Sequence, residues 1–211
     1  MTGFLTPRGL LIASLSLLAA VGLTGCGSSS LSCSGDIRNK MIVSLRDQKM
    51  LLVRDGTPVR SYKISTSKFG IGDQPGSNCT PVGRLQVAKK IGDNAPIGSV
   101  FKSRRPTGEV IKPDAPGRDP VVTRIIWLAG TESRNQNAFR RTIYIHGTPE
   151  ERRLGSPASF GCIRMGSRDV ADLYGRIGTG ADVFVIRGSI QPTNANQDSA
   201  SLGKCAVHSP G

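Results

Sequence analysis

Short apolar runs separated by glycine, proline and polar turns fill the middle of the chain. Met41–Leu45 and Met50–Arg54 read as two strands joined across Arg46-Asp47-Gln48-Lys49. Asp55-Gly56 is a tight hairpin signal that returns Pro58–Ser65 as a third strand. Leu85–Lys89, Val122–Leu128, Arg141–His146 and Asp182–Arg187 are further strand candidates. One segment has a different period: Val170, Leu173, Tyr174 and Ile177 fall at i, i+3, i+4 and i+7. With Ser167 placed as N-cap and Gly178 as stop, that spacing predicts a helix. Many short strands and one clear helix indicate a mainly β domain of sandwich or barrel type. Lys102–Pro120 fits neither pattern, holding four prolines and five basic residues with little periodicity, and reads as a long loop. Loops of that length are functional or disordered. The residues leave open whether this one covers a groove or stands free.

The first 25 residues read as a targeting segment. Arg8 supplies a positive charge, and Leu10–Leu23 is an apolar stretch shorter than the ~20 residues a membrane span needs. Leu23-Thr24-Gly25-Cys26 has the form of a bacterial lipobox. Cleavage before Cys26 would leave that residue to carry lipid, and two or more acyl chains make a stable anchor at about 0.8 kcal/mol per buried methylene. Residues 26–36 then form a Gly/Ser tether, 37–188 the domain and 189–211 a polar tail. Gly27, where an Asp would retain the protein, points to the periplasmic face of the outer membrane.

The formal charge is +13. Such a balance often marks nucleic-acid binding, but an export signal removes that partner, and no basic run with interleaved aromatics is present. Anionic cell-wall polymer or lipid headgroups remain as counter-surfaces, beside a merely solvated basic surface. The cysteines are Cys26, Cys33, Cys79, Cys162 and Cys205. With Cys26 acylated and Cys162 a free thiol, three remain, and the pairing among Cys33, Cys79 and Cys205 stays open. Cys-x-x-Cys and His-Glu-x-x-His spacings are absent, so neither a metal nor a cofactor is expected.

The candidate chemistry lies in Ile143–Met165. A strand delivers His146-Gly147, and sixteen residues after His146 comes Cys162, within Ser159-Phe160-Gly161-Cys162-Ile163-Arg164. A thiol becomes a strong nucleophile as a thiolate, and a neighbouring imidazole that takes its proton would lower its pKa. The other histidine, His208, lies in the polar tail, which leaves His146 as the base. Spacing alone does not separate this arrangement from a buried structural cysteine.

The surrounding residues decide more. His146-Gly147 followed by Ser159-x-Gly161-Cys162 resembles the signature of the L,D-transpeptidase catalytic domain (YkuD type), whose usual form ends in Ser/Thr-His-Gly-Cys. Ser65-Thr66-Ser67-Lys68-Phe69-Gly70 and Thr80-Pro81-Val82-Gly83 extend the resemblance over roughly 40–188. Phe160 stands where most members carry a second His, and Arg164 where some have Asn. The resemblance implies a mainly β fold and a peptidoglycan stem peptide as substrate. Cys162 would attack the carbonyl of the third stem residue, and His146 would protonate the departing D-alanine. The thioester would then pass to an amine, giving a 3→3 cross-link, or to water, making the protein an L,D-carboxypeptidase. A peptidoglycan-binding lipoprotein without catalysis is the rival that Phe160 keeps open. Gly147 would accept a hydrogen bond from the imidazole through its carbonyl, and the Gly161 and Cys162 backbone would form an oxyanion hole. Ser159 would support that network, Arg164 would pair with a substrate carboxylate, and Phe160 and Tyr144 would line the groove. Oligomeric state is not legible.

Overall fold

At the Asp55-Gly56 turn the backbone crosses into the left-handed region twice in succession, with φ of 50° and 80°. That turn folds β2 (Lys49–Arg54) onto β3 (Thr57–Ser65), and β1 (Asn39–Ser44) completes the meander. The computed structural model describes residues 35–191. The other strands are β4 (Gly83–Ile91), β5 (Ser99–Lys102), β6 (Arg105–Val110), β7 (Val121–Gly130), β8 (Tyr144–Gly147), β9 (Ile163–Met165) and β10 (Asp182–Ile186). They follow the order β4-β10-β1-β2-β3-β9-β8-β7-β5-β6, and a further pairing of β4 with β7 closes the first eight into a barrel-like ring. Closure leaves no open edge in the ring. The β5–β6 hairpin hangs from β7 through Val100 opposite Val122.

The ring interior holds Met41, Leu52, Ile64, Leu85, Ile126, Leu128, Ile145, Ile163, Met165 and Val183, all buried. A single helix, α1 (Ser167–Arg176), adds Val170, Leu173 and Tyr174 to the same cluster, the face that its spacing predicts. Each fully buried aliphatic side chain contributes on the order of 1.5–3 kcal/mol. Two pairs are parallel, β1 with β10 and β8 with β9. Parallel neighbours need a connection of a dozen or more residues. Residues 148–162 provide it, which is the physical reason for the long spacer between His146 and Cys162.

The mainly β class with one clear helix is as expected, and several local features differ. Lys102–Pro120 is not one continuous loop, because it contains β6, whose six residues are all exposed and therefore carry no apolar period. The strand expected from Arg141 begins at Tyr144; Thr142 sits at φ 57°, so the preceding residues turn. β9 is only three residues long and falls below the reach of periodicity. The N-cap of α1 is Gly166, and Ser167 is its first residue. The helix ends at Arg176, with Ile177 extended, and Gly178 donates its N–H to Asp36 at 2.7 Å. Cys79 and Cys162 are unlinked thiols. The targeting segment, Cys26, Cys33, the end of the polar tail and Cys205 lie outside the described residues.

Candidate active site

Side chains alternate across a strand. With Ile145, Ile163 and Met165 committed to the ring interior, Tyr144, His146 and Arg164 must point to the other face. His146 is paired with Arg164, so Cys162, one residue before β9, comes opposite Tyr144. The Tyr144 N–H lies 3.4 Å from the Cys162 Sγ, and the sulfur lies 3.5 Å from the Thr142 carbonyl. A diagonal step of two residues between neighbouring strands puts the Cα atoms of His146 and Cys162 roughly 8 Å apart. Among the described residues no hydrogen bond joins the thiol to the imidazole.

His146 is buried, with Nδ1 2.8 Å from the Gly147 carbonyl. A carbonyl only accepts, so Nδ1 carries the proton and Nε2 of the neutral ring is left as an acceptor. Gly147 is held against β7, where a Cβ would come 2.7 Å from the Val122 carbonyl. That strand is bulged opposite it, with Val122 facing Gly147 but Ile125 facing His146. Thr123, in the bulge, is buried at φ 68°.

The turn that carries Cys162 is braced from two directions. Ser159 Oγ donates to the Cys162 carbonyl at 2.6 Å and accepts from the Gly161 N–H at 3.2 Å. Thr80 Oγ1 donates to the Gly161 carbonyl and accepts from the Ser67 N–H, both at 3.0 Å. These contacts explain why the Ser65–Gly70 and Thr80–Gly83 segments accompany the turn. Gly161 adopts φ 115°, and a Cβ there would meet the Cys79 carbonyl at 3.2 Å. With its N–H engaged by Ser159, Gly161 does not offer the oxyanion donor expected of it.

Burial pushes the Cys162 thiol up to about 11, against the Tyr144 N–H and the charges of Arg141 and Arg164, which pull it down. Burial also lowers His146, opposed by the Gly147 hydrogen bond and by Asp119, while Arg164 adds to the lowering. Thiol and imidazole are therefore both neutral near pH 7. For the thiol, desolvation outweighs the nearby positive charge of Arg141 and Arg164 and favours the neutral form.

The family model for the YkuD L,D-transpeptidase catalytic domain matches residues 38–186, more than two thirds of the chain. The chain belongs to this family. Similar solved structures include an L,D-transpeptidase from Mycobacterium smegmatis, 17% identical over 71% of this chain and 58% of that one, with a TM-score of 0.47. An L,D-transpeptidase from Mycobacterium tuberculosis H37Rv is 18% identical over 71% and 58%, also at 0.47. A third, residues 123–326 of the L,D-transpeptidase of Xylanimonas cellulosilytica, is 18% identical over 71% and 60%, again at 0.47. The chain thus spans about three fifths of the solved chains that it matches. No curated protein matches it significantly.

Within this L,D-transpeptidase domain, Cys162 borders a cleft of about 470 Å³ that Asn78, Arg140, Arg141, Thr142 and Phe160 also line. Phe160 is exposed, packs on Phe69 with centroids 5.4 Å apart, and has the Lys68 ammonium 4.4 Å from its ring centre. Tyr144 does not line the cleft. It is buried edge-on against Trp127, centroids 5.5 Å apart, and contributes its backbone N–H. Arg164 is also reassigned. It is only 2% exposed, and its guanidinium pairs with Asp119 and, at 3.0 Å, with Glu150. Both carboxylates engage its Nη1, Ser65 Oγ lies 3.3 Å from Nη2, and the buried Nε has no partner among the described residues, so the guanidinium is enclosed and offers no open fork to a substrate.

Asp119 and Glu150, which complete this cluster, carried no recognisable sequence signal. Asp119 also accepts from Thr148, and the Asp114 N–H donates to the Pro149 carbonyl, so the end of the 111–120 segment is anchored beside β8. Arg141, bonded to buried Asp73 at 3.1 Å, was hidden in the strand assignment. Among the described residues no cluster of three metal-ligating side chains occurs.

Arg164→Ala should destabilise the domain, since it leaves two carboxylates without their cation. Breaking a buried pair costs about 3–5 kcal/mol, and partial exposure of both partners favours the low end. A fall in Tm of roughly 6–12 °C is expected, measured by thermal unfolding, and a shift below 2 °C would contradict the structural role. Alkylation of Cys162 by iodoacetamide, followed by peptide mass spectrometry to separate it from Cys79, should rise about tenfold per pH unit from pH 6 to 10. A plateau at neutral pH would reveal a thiolate–imidazolium pair instead.

Proposed function

We propose that the protein is a peptidoglycan L,D-transpeptidase that uses Cys162 as nucleophile. The observation that carries this reading is a thiol facing a cleft on the strand face that also holds His146, whose accepting nitrogen has no hydrogen-bond partner among the described residues. Both groups rest neutral, so the proton moves as the substrate arrives. Cys162 Sγ attacks the carbonyl carbon of the third stem residue while its proton passes to His146 Nε2. Collapse of the tetrahedral intermediate breaks the C–N bond, and the imidazolium returns that proton to the departing D-alanine amine. The thioester is then attacked by a side-chain amine of a second stem, which gives up its proton through His146 and frees the thiol. Charge developing on the former carbonyl oxygen needs donors held in place beforehand. Ser159 and Thr80 supply that rigidity to the turn through its backbone.

The lipobox at Cys26 supports a further part of the proposal: the mature protein is lipid-anchored, with its domain on the periplasmic face of a membrane, most simply the outer one.

Cys162→Ala should abolish D-alanine release from tetrapeptide stems with the fold intact, because it removes a nucleophile and little volume. His146→Ala should slow turnover on the order of 10²–10⁴-fold. Mass spectrometry of the products with purified tetrapeptide fragments checks both, and tripeptide without dimer would indicate the hydrolytic form of the same chemistry. Persistence of more than a few per cent of activity in Cys162→Ala would sink the reading. For the anchor, metabolic labelling with a fatty acid should mark the parent and miss Cys26→Ala; label on both would remove the lipobox assignment.

A further inference from the structure

The cleft beside Cys162 carries one charge that the fold leaves uncompensated. Its two cations are used differently. Arg141 is held by Asp73 at 3.1 Å, by the Gly72 carbonyl at 2.9 Å and by the Cys79 carbonyl at 2.7 Å, and so fastens the segment before β8 to the loop of residues 72–79. Arg140, its neighbour in sequence, is exposed and makes no ion pair or side-chain hydrogen bond among the described residues. No carboxylate lines the cleft. The Asn78 side-chain amide, also at the lining, has no hydrogen-bond partner among the described residues. On the other side of the thiol the situation is reversed. Arg164 is closed off by Asp119 and Glu150, so that side has no cation to offer.

A guanidinium fork matches a carboxylate bidentately, and in a cleft partly shielded from water such a pair is stronger than on an open surface. We propose that Arg140 recognises a free carboxylate of the peptide whose carbonyl Cys162 attacks, fixing that peptide in the cleft. This inference rests on the transpeptidase reading. A stem tetrapeptide offers two such groups near the scissile bond: the terminal carboxylate of the leaving D-alanine, and the carboxylate at the far end of the diamino-acid side chain. Either presents the same chemistry to Arg140. Phe160, on the same lining, supplies an apolar surface for the intervening methyl or methylene groups.

The test compares the full chain with Arg140→Gln, Arg140→Lys and a control, Arg46→Gln. Arg46 is exposed in the β1–β2 turn and does not line the cleft. Three tetrapeptide donors are used: unmodified, amidated at the C-terminal carboxylate, and amidated at the diamino-acid carboxylate. For the parent, one of the two amides should raise KM about tenfold to hundredfold, the loss expected of a charge-assisted hydrogen-bonded pair; which one does so identifies the source. Arg140→Gln should raise KM for the unmodified donor by a similar factor and lose the preference for it. Arg140→Lys should fall between, and Arg46→Gln should match the parent. Iodoacetamide alkylation of Cys162 should be unchanged in Arg140→Gln, a readout that a general folding defect would move. The inference is overturned if Arg140→Gln keeps the parent's KM and preference, or if the parent ignores both amides. Failure of the parent to turn over any donor, with Cys162 still alkylated, overturns the transpeptidase reading itself.

Discussion

The parallel register of β8 with β9 is the constraint on which the site depends. Ile145 against Ile163 locks two aliphatic side chains into the ring interior, and that one pairing sends His146, Cys162 and Arg164 to the opposite face. A slip of one residue in either strand would exchange the two sets, burying the thiol or the imidazole among the core aliphatics and exposing isoleucine. The hydrophobic core therefore enforces the register of the chemistry. The same parallel arrangement fixes the length of the connection, and that connection in turn carries Glu150, Ser159 and Gly161, the residues that hold the turn and balance Arg164.

The electrostatics follow from that placement. A face packed against β7 and the anchored 111–120 segment is poor in water, which raises the thiol and lowers the imidazole together. Arg164 in the same region would be intolerable alone, and two carboxylates neutralise it. Burial, rather than a residual charge, is the largest influence on both the thiol and the imidazole. A neutral thiol is less open to adventitious alkylation and oxidation than a thiolate, and it becomes a strong nucleophile only when its proton is removed.

Much of this was legible in the residues, and the reasons for the rest are physical. The hairpin at Asp55-Gly56, the helix face of Val170, Leu173 and Tyr174, and the β class are carried by local pattern. The family signature around His146 and Cys162 is likewise local. What failed depends on partners distant in sequence. Arg164, two residues from the thiol, reads as a substrate contact until Asp119 and Glu150 are seen to meet it, 45 and 14 residues away. Tyr144 shares a strand face with His146, but Trp127 from β7 covers it. β6 has no buried face and hence no period to detect. Arg140 and Arg141 look equivalent as a dipeptide, and only Asp73 distinguishes them.

The two sides of Cys162 thus have different tasks. One side holds His146, with Arg164 closed off by Asp119 and Glu150. The other is an open cleft with the Arg140 guanidinium, which has no ion-pair partner among the described residues, and an exposed aromatic ring. On the proposed reading, a peptide entering from the cleft would bring its carbonyl to the sulfur before reaching the imidazole. On that reading the substrate's approach, rather than the resting geometry, would couple the thiol and the imidazole. Apo geometry of this kind is common where catalytic hydrogen bonds tighten only in the complex. Phe160, in place of the family's usual second histidine, changes the cleft side alone. It leaves the side that holds His146 as the strand register sets it.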